Sequence, residues 1–126
     1  MVPGAGGQAG PQIDAVRTLI PEMVESTQNE PGALIYEWSI SDDESAIHSY
    51  DRYADSEAVL EHLSSFGERF AERLLAAVDP TRFVVYGSPT DGAREALDGF
   101  GALYMTKSGV IPRSVFTDTR LFRPPR

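Results

Sequence analysis

Glu30-Pro31-Gly32-Ala33-Leu34-Ile35-Tyr36-Glu37 joins the end of one amphipathic helix to the start of one alternating strand. Pro31 cannot continue a helix, and Gly32 tolerates a sharp reversal of the backbone. Upstream, Ile13, Val16, Ile20, Met23, Val24 and Thr27 recur at helical spacing, which predicts a helix over 12–29 with a kink or break at Pro21. Downstream, Leu34, Tyr36, Trp38 and Ile40 alternate with Ala33, Ile35, Glu37 and Ser39, the pattern of a strand with one buried face.

The polar run Ser41-Asp42-Asp43-Glu44 reads as a hairpin turn. It lacks the glycine and the distal glutamate of a calcium loop. A second strand is expected over 45–53, with Ile47, Ser49, Asp51 and Tyr53 on one face and Ala46, His48, Tyr50 and Arg52 on the other. Asp55 or Ser56 then caps a helix whose apolar stripe is Val59, Leu60, Leu63, Phe66, Phe70, Leu74 and Leu75, with a bend at Gly67. A short strand follows over 82–86 and a short helix over 90–99. Ala102 to Met105 and Val110-Ile111 are candidate extended pieces. Helix, strand, strand, helix, strand is a βαββαβ ferredoxin-like order without its first strand. An α+β domain with helices on one face of an antiparallel sheet is the expected fold.

At 126 residues and 41% hydrophobic, the chain suits a single domain with a core of its own. The organisation expected is a glycine-rich leader over 1–11, one domain over 12–113 and a tail over 114–126. Gly4, Gly6 and Gly10 follow no strand and make no phosphate loop. The net charge of −8 argues against nucleic acid or an anionic membrane as partner. Arg113, Arg120, Arg123 and Arg126 lie near the C-terminus and read as a solvated end. Without cysteine there are no disulfides, thiolate metal sites or cysteine nucleophiles. No apolar run reaches membrane-spanning length and no export signal is recognisable, so a cytoplasmic protein is expected. The spacing of His48 and His62 suits no metal site.

Two blocks resemble the antibiotic biosynthesis monooxygenase family, whose fold is the dimeric α+β barrel. The first is Glu30 to Glu37. The second is Tyr50-Asp51-Arg52-Tyr53-Ala54-Asp55, followed by Ala58, Leu60, Glu61 and His62. The family usually shows glutamate and tryptophan where Asp51 and Tyr53 stand, and many members carry a second histidine where Phe66-Gly67 lies. Members also open with an apolar strand before the first helix. The leader cannot be that strand on composition, and the segments 102–105 and 114–122 are the two candidates to replace it, unless the chain is cut short.

The resemblance implies an enzyme that oxidises an electron-rich aromatic with dioxygen, without metal, flavin or other cofactor. It makes His62 the candidate base, Asp51 the group that orients it or a water, and Tyr53, with Tyr36, Trp38 and Phe66, the wall of a substrate cavity. It also implies a homodimer formed sheet on sheet, and a small aromatic partner. Plainer readings stand beside these. His62 can be a hydrogen-bonded structural histidine, Tyr36 and Trp38 can be core, and Asp51 can pair with Arg52. A non-catalytic dimeric barrel that binds a small molecule, or serves as a stress or regulatory module, is the alternative function.

Overall fold

The structure, a computed structural model, describes residues 11–111. The element order is α1 (Ile13–Gln28), β1 (Ala33–Ile40), β2 (Ile47–Tyr53), α2 (Ser56–Arg69), α3 (Ala71–Ala77), β3 (Val84–Tyr86), α4 (Asp91–Asp98) and β4 (Leu103–Met105). This is the expected α+β order. The strand candidate over 114–122, the tail and the leader up to residue 10 lie outside the described residues.

Helix α1 runs through Pro21 without a break. Pro21 and Arg17 are both exposed, so the carbonyl that a proline leaves without a donor can meet water and no kink is required. One face of α1, with Val16, Leu19 and Met23, is buried. Its end is tied by the Asn29 N–H, which donates to the Ser26 and Thr27 carbonyls, and by the Glu30 N–H, which donates to Thr27.

The hinge then enters β1, which pairs antiparallel with β2 in the register Tyr36↔Asp51, Trp38↔Ser49 and Ile40↔Ile47. The pairing slips between Ala33 and Ile35. This bulge takes Leu34 out of the row that strict alternation assigns it, and Leu34 is exposed. At the far end, Asp43 accepts from Ser41 Oγ and from Ser45 N and Oγ, and Glu44 takes a left-handed conformation with φ of 62°. This turn holds Ser45 out of the strand, so β2 begins two residues later than the alternation indicates.

Asp55, not Ser56, caps α2, accepting from Ala58 N at 2.9 Å. Ser56 Oγ instead accepts from Thr90 N, which joins the starts of α2 and α4. The expected bend at Gly67 is absent. The helix breaks three residues later at Phe70, whose side chain is buried in the core. Leu60 and Leu75, placed on the apolar stripe by spacing, point outward. The inward ridge of α2 is Ala58, His62 and Phe66, four residues apart in succession, and Phe70 continues it just past the helix end.

The core is Val16, Leu19, Met23, Ile47, Phe70, Leu74, Ala77 and Val78, with Tyr36, Trp38, Ile40 and Phe66 packed against it. Helices α1, α2 and α3 thus share one side of the β1–β2 hairpin. Residues 102–105, one candidate for the first strand, become β4, which pairs in parallel with β3 in a separate two-stranded sheet. Among the described residues the sheet is therefore divided in two, and Val110-Ile111 forms no strand. The opposite face of the hairpin carries Ile35, Glu37, Ser39, His48, Tyr50 and Arg52, a mixed apolar, aromatic and polar surface.

Candidate functional site

Gly32 determines how close α2 comes to the hinge. A Cβ built on Gly32 would overlap the Cβ of Ala58, so only glycine admits the helix at this distance. The Gly32 carbonyl accepts from Ala54 N at 2.8 Å and ties the hinge to the end of β2. One turn beyond Ala58, the same helix face places His62 over the inner face of the hairpin, 7% exposed.

His62 is held between two carboxylates. Its Nδ1 is 3.0 Å from Glu30 Oε1, and Glu30 is itself 8% exposed. Its Nε2 is 3.9 Å from Asp51 Oδ2, beyond hydrogen-bond reach. Asp51 has closer partners: the Tyr53 hydroxyl donates to Oδ2 at 2.8 Å and Ser49 Oγ to Oδ1 at 3.2 Å. Around the imidazole stand Tyr36, Tyr53 and Phe66, with ring centroids at 5.3, 5.4 and 6.3 Å. Trp38 packs edge-on against Tyr36.

The four sequence-derived aromatic residues and the three proposed to act directly therefore meet on one side of one hairpin, Tyr53 belonging to both sets. His48 lies on the other face, paired with Ser39. Asp51 takes its hydrogen bonds from its own strand and forms no ion pair with Arg52. Glu30 was not singled out for the site by its sequence context. It stands 32 residues from His62, a separation with no local periodicity to connect them.

Both inner tyrosines are held as neutral phenols. Burial pushes the Tyr36 hydroxyl up to about 12; Trp38 opposes it most, the Asp51 carboxylate adds to the rise, and smaller contributions come from Thr27, which lowers, and Glu30, which raises. Burial, followed by the Asp51 carboxylate, likewise raises Tyr53 above its usual value. Both are thus hydrogen-bond donors near neutrality, not bases. The Trp38 indole N–H influences Tyr36 but makes no hydrogen bond, and it remains a buried donor without a partner. Among the described residues no group of three or more His, Asp or Glu side chains is arranged to hold a metal ion. A separate groove of about 350 Å³ between α1 and the α2–α3 junction is lined by charged groups including Glu22, Arg69 and Arg73, and does not touch His62.

A hinge glycine under a helix, an acidic and a tyrosine residue on the second strand, and an inward histidine nearly two turns into the next helix agree with a family match. The family model described as antibiotic biosynthesis monooxygenase matches residues 9–72, just over half of the chain. The chain belongs to that family. The match runs from the start of α1 into α3 and so contains every residue of the site. Among solved structures, the crystal structure of MupZ from Pseudomonas fluorescens shares the fold. Its TM-score is 0.72 at 23% identity, covering 81% of this chain and 84% of that one. No curated protein is similar enough to be compared with the chain. No helix among the described residues is long and apolar enough to cross a membrane.

Proposed function

We propose that this family member is a cofactor-independent monooxygenase that oxidises a quinol-like or polyketide aromatic with dioxygen. The observation that carries the reading is the position of His62: a buried imidazole walled by Tyr36, Tyr53 and Phe66, with Nδ1 on Glu30 and Nε2 without a hydrogen bond. A histidine titrates near neutrality in general, and an imidazole nitrogen with a free lone pair is a base. It takes the proton of a phenolic hydroxyl. The resulting anion is electron-rich enough to pass one electron to dioxygen, and the two radicals combine at a ring carbon as a hydroperoxide. For an anthrone-like CH2 group, loss of water then leaves a carbonyl. One oxygen atom ends in the product and the other in water, and the substrate supplies all four electrons.

The protein supplies a dry site and donors for the substrate oxygen. Trp38 Nε1 and the Tyr36 hydroxyl are the neutral donors on the inner face. Asp51, held by Tyr53 and Ser49, faces the imidazole and stabilises it once it has gained the proton. Oxygen uptake with menadiol or a simple anthrone tests this. The wild type should consume oxygen faster than the spontaneous reaction, His62→Ala should fall to the spontaneous rate, and Tyr53→Phe should lie between. Equal uptake by wild type and His62→Ala removes the base role.

A second reading is a barrel that binds the same class of aromatic without turning it over. It is favoured by Asp51, where the family usually has a longer glutamate, because the shorter side chain is already engaged by Tyr53 and Ser49. Binding of a quinone product analogue with no oxygen uptake would support it. We also propose a homodimer through the face of the hairpin that carries Ile35, His48, Tyr50 and Arg52. Sedimentation showing a strict monomer at micromolar concentration would overturn that assembly.

A further inference from the structure

We infer that Glu30 is a positioning residue: it fixes His62 in the Nδ1–H tautomer, so that the lone pair of Nε2 faces the substrate side. This deepens the proposed base role of His62 and rests on it. Two observations place the carboxylate independently of the histidine. Glu30 is locked in the hinge, its N–H donating to Thr27 and its carbonyl accepting from Ala33 N. Meanwhile α2 is set against the same hinge through Gly32 and Ala58. The carboxylate and the ring are therefore brought together by two elements whose backbones are already fixed.

The two ends of the ring are unequal. Glu30 is nearly buried, and His62 is the hydrogen-bond partner of its carboxylate at 3.0 Å. A buried carboxylate requires a donor, and Nδ1–H is the one at hand. At the other end Asp51 is 3.9 Å away and is already served by Tyr53 and Ser49, so it makes no comparable demand on Nε2. The proton of the neutral ring therefore belongs on Nδ1. A free imidazole side chain prefers the opposite tautomer, so Glu30 imposes a state that the histidine would not adopt unaided. The hydrogen bond at one nitrogen sets what the other can do.

The chain has two histidines, and His48 is exposed on the other face, which makes it an internal control. Nitrogen-15 spectra of the full chain, recorded at a pH where the rings are neutral, report each tautomer directly. His62 should show Nδ1–H and His48 the ordinary Nε2–H. In Glu30→Leu the His62 pattern should switch to Nε2–H, while Glu30→Gln, whose amide oxygen can still accept, should retain Nδ1–H. If Glu30→Leu does not fold, Glu30→Asp, whose shorter side chain cannot reach Nδ1 as closely, should give a mixture of tautomers. Wild-type His62 in the Nε2–H form, or a pattern indifferent to every Glu30 variant, overturns the inference. These spectra need no turnover, so they stand apart from the outcome of the oxygen-uptake experiment. Where turnover is measured, Glu30→Leu should lower kcat by about 10–100-fold with KM nearly unchanged, as expected of a partner that orients an acting group, and Glu30→Gln, which keeps the tautomer, should lose less. A loss in KM alone would indicate a structural role.

Discussion

Two carboxylate clusters sit at opposite ends of the β1–β2 hairpin, and they are built differently. At the turn, Asp43 is fully exposed and takes hydrogen bonds from Ser41 and Ser45, each two residues away. At the open end, Glu30 and Asp51 flank a histidine supplied by another element, and the partners are enclosed by aromatic rings. The first cluster shapes its own backbone. The second exists only after α1, the hairpin and α2 have packed. A polar group in water has an alternative partner everywhere, whereas one inside the fold has only what packing brings to it. Disturbing the open end should therefore cost far more than disturbing the turn.

The largest effect is expected from removing one member of the buried pair. Glu30→Leu leaves the His62 N–H without its acceptor in a site with little water. Loss of about 3–5 kcal/mol of stability is expected if the ring is charged there, and about 1–3 kcal/mol if it is neutral. Urea unfolding of the variant checks this, and a change below about 0.5 kcal/mol would mean that the pair does not hold the site together. Next in size is Gly32→Ala. Its new methyl meets Ala58, and the expected cost is about 1–3 kcal/mol of overpacking. Gly32 is not in a left-handed conformation, so contact alone is at issue. Combining it with Ala58→Gly should restore part of the loss, leaving the pair of changes less than additive in a double-mutant cycle.

These two residues also show what could be read from the chain. The hinge, the hairpin and the alternation of Tyr36, Trp38 and Ile40 were legible because each is a local pattern of period two or 3.6. The shared face of Asp51 and Tyr53 followed from the same period of two, whereas His62 was named through the family resemblance and stood beside the stripe that spacing assigned to its helix. Glu30 was in view throughout as the last residue before Pro31-Gly32, but its role was not. Its partner arrives through the docking of α2, and only a space-filling test at Gly32 reveals how near that helix comes. The break at Phe70 was hidden for a related reason. Gly67 is the better breaker by propensity, yet the burial of the Phe70 side chain decided where the helix ends. The parallel pairing of β3 with β4 had no local signal, since the strands are three residues each.

A smaller effect should appear on the alkaline side. Tyr36 loses its proton at an ordinary 10.0 in the unfolded chain but at about 12 in the folded one. Between those values the folded state binds the extra proton, so stability is intact below pH 10.0 and falls as pH rises towards 12. Tyr36→Phe should flatten part of that fall in urea midpoints measured across the window. An identical slope in both proteins would mean that the hydroxyl reaches water in the folded state.

The smallest effect belongs to the turn. Asp43 is held at about 2 against an ordinary 3.8, chiefly by the Ser45 hydroxyl and then by the Ser45 N–H and Ser41. A carboxylate with a depressed value contributes stability above pH 3.8 and loses it as pH falls towards 2. In Asp43→Asn that part of the acid sensitivity should disappear, seen as a shallower fall in melting temperature across the window. At neutral pH the variant should keep the spectrum of His62 unchanged, because nothing at the turn touches the open end. If Asp43→Asn instead altered the tautomer of His62, the hairpin would be transmitting strain along its length, and the two clusters would no longer be separate units.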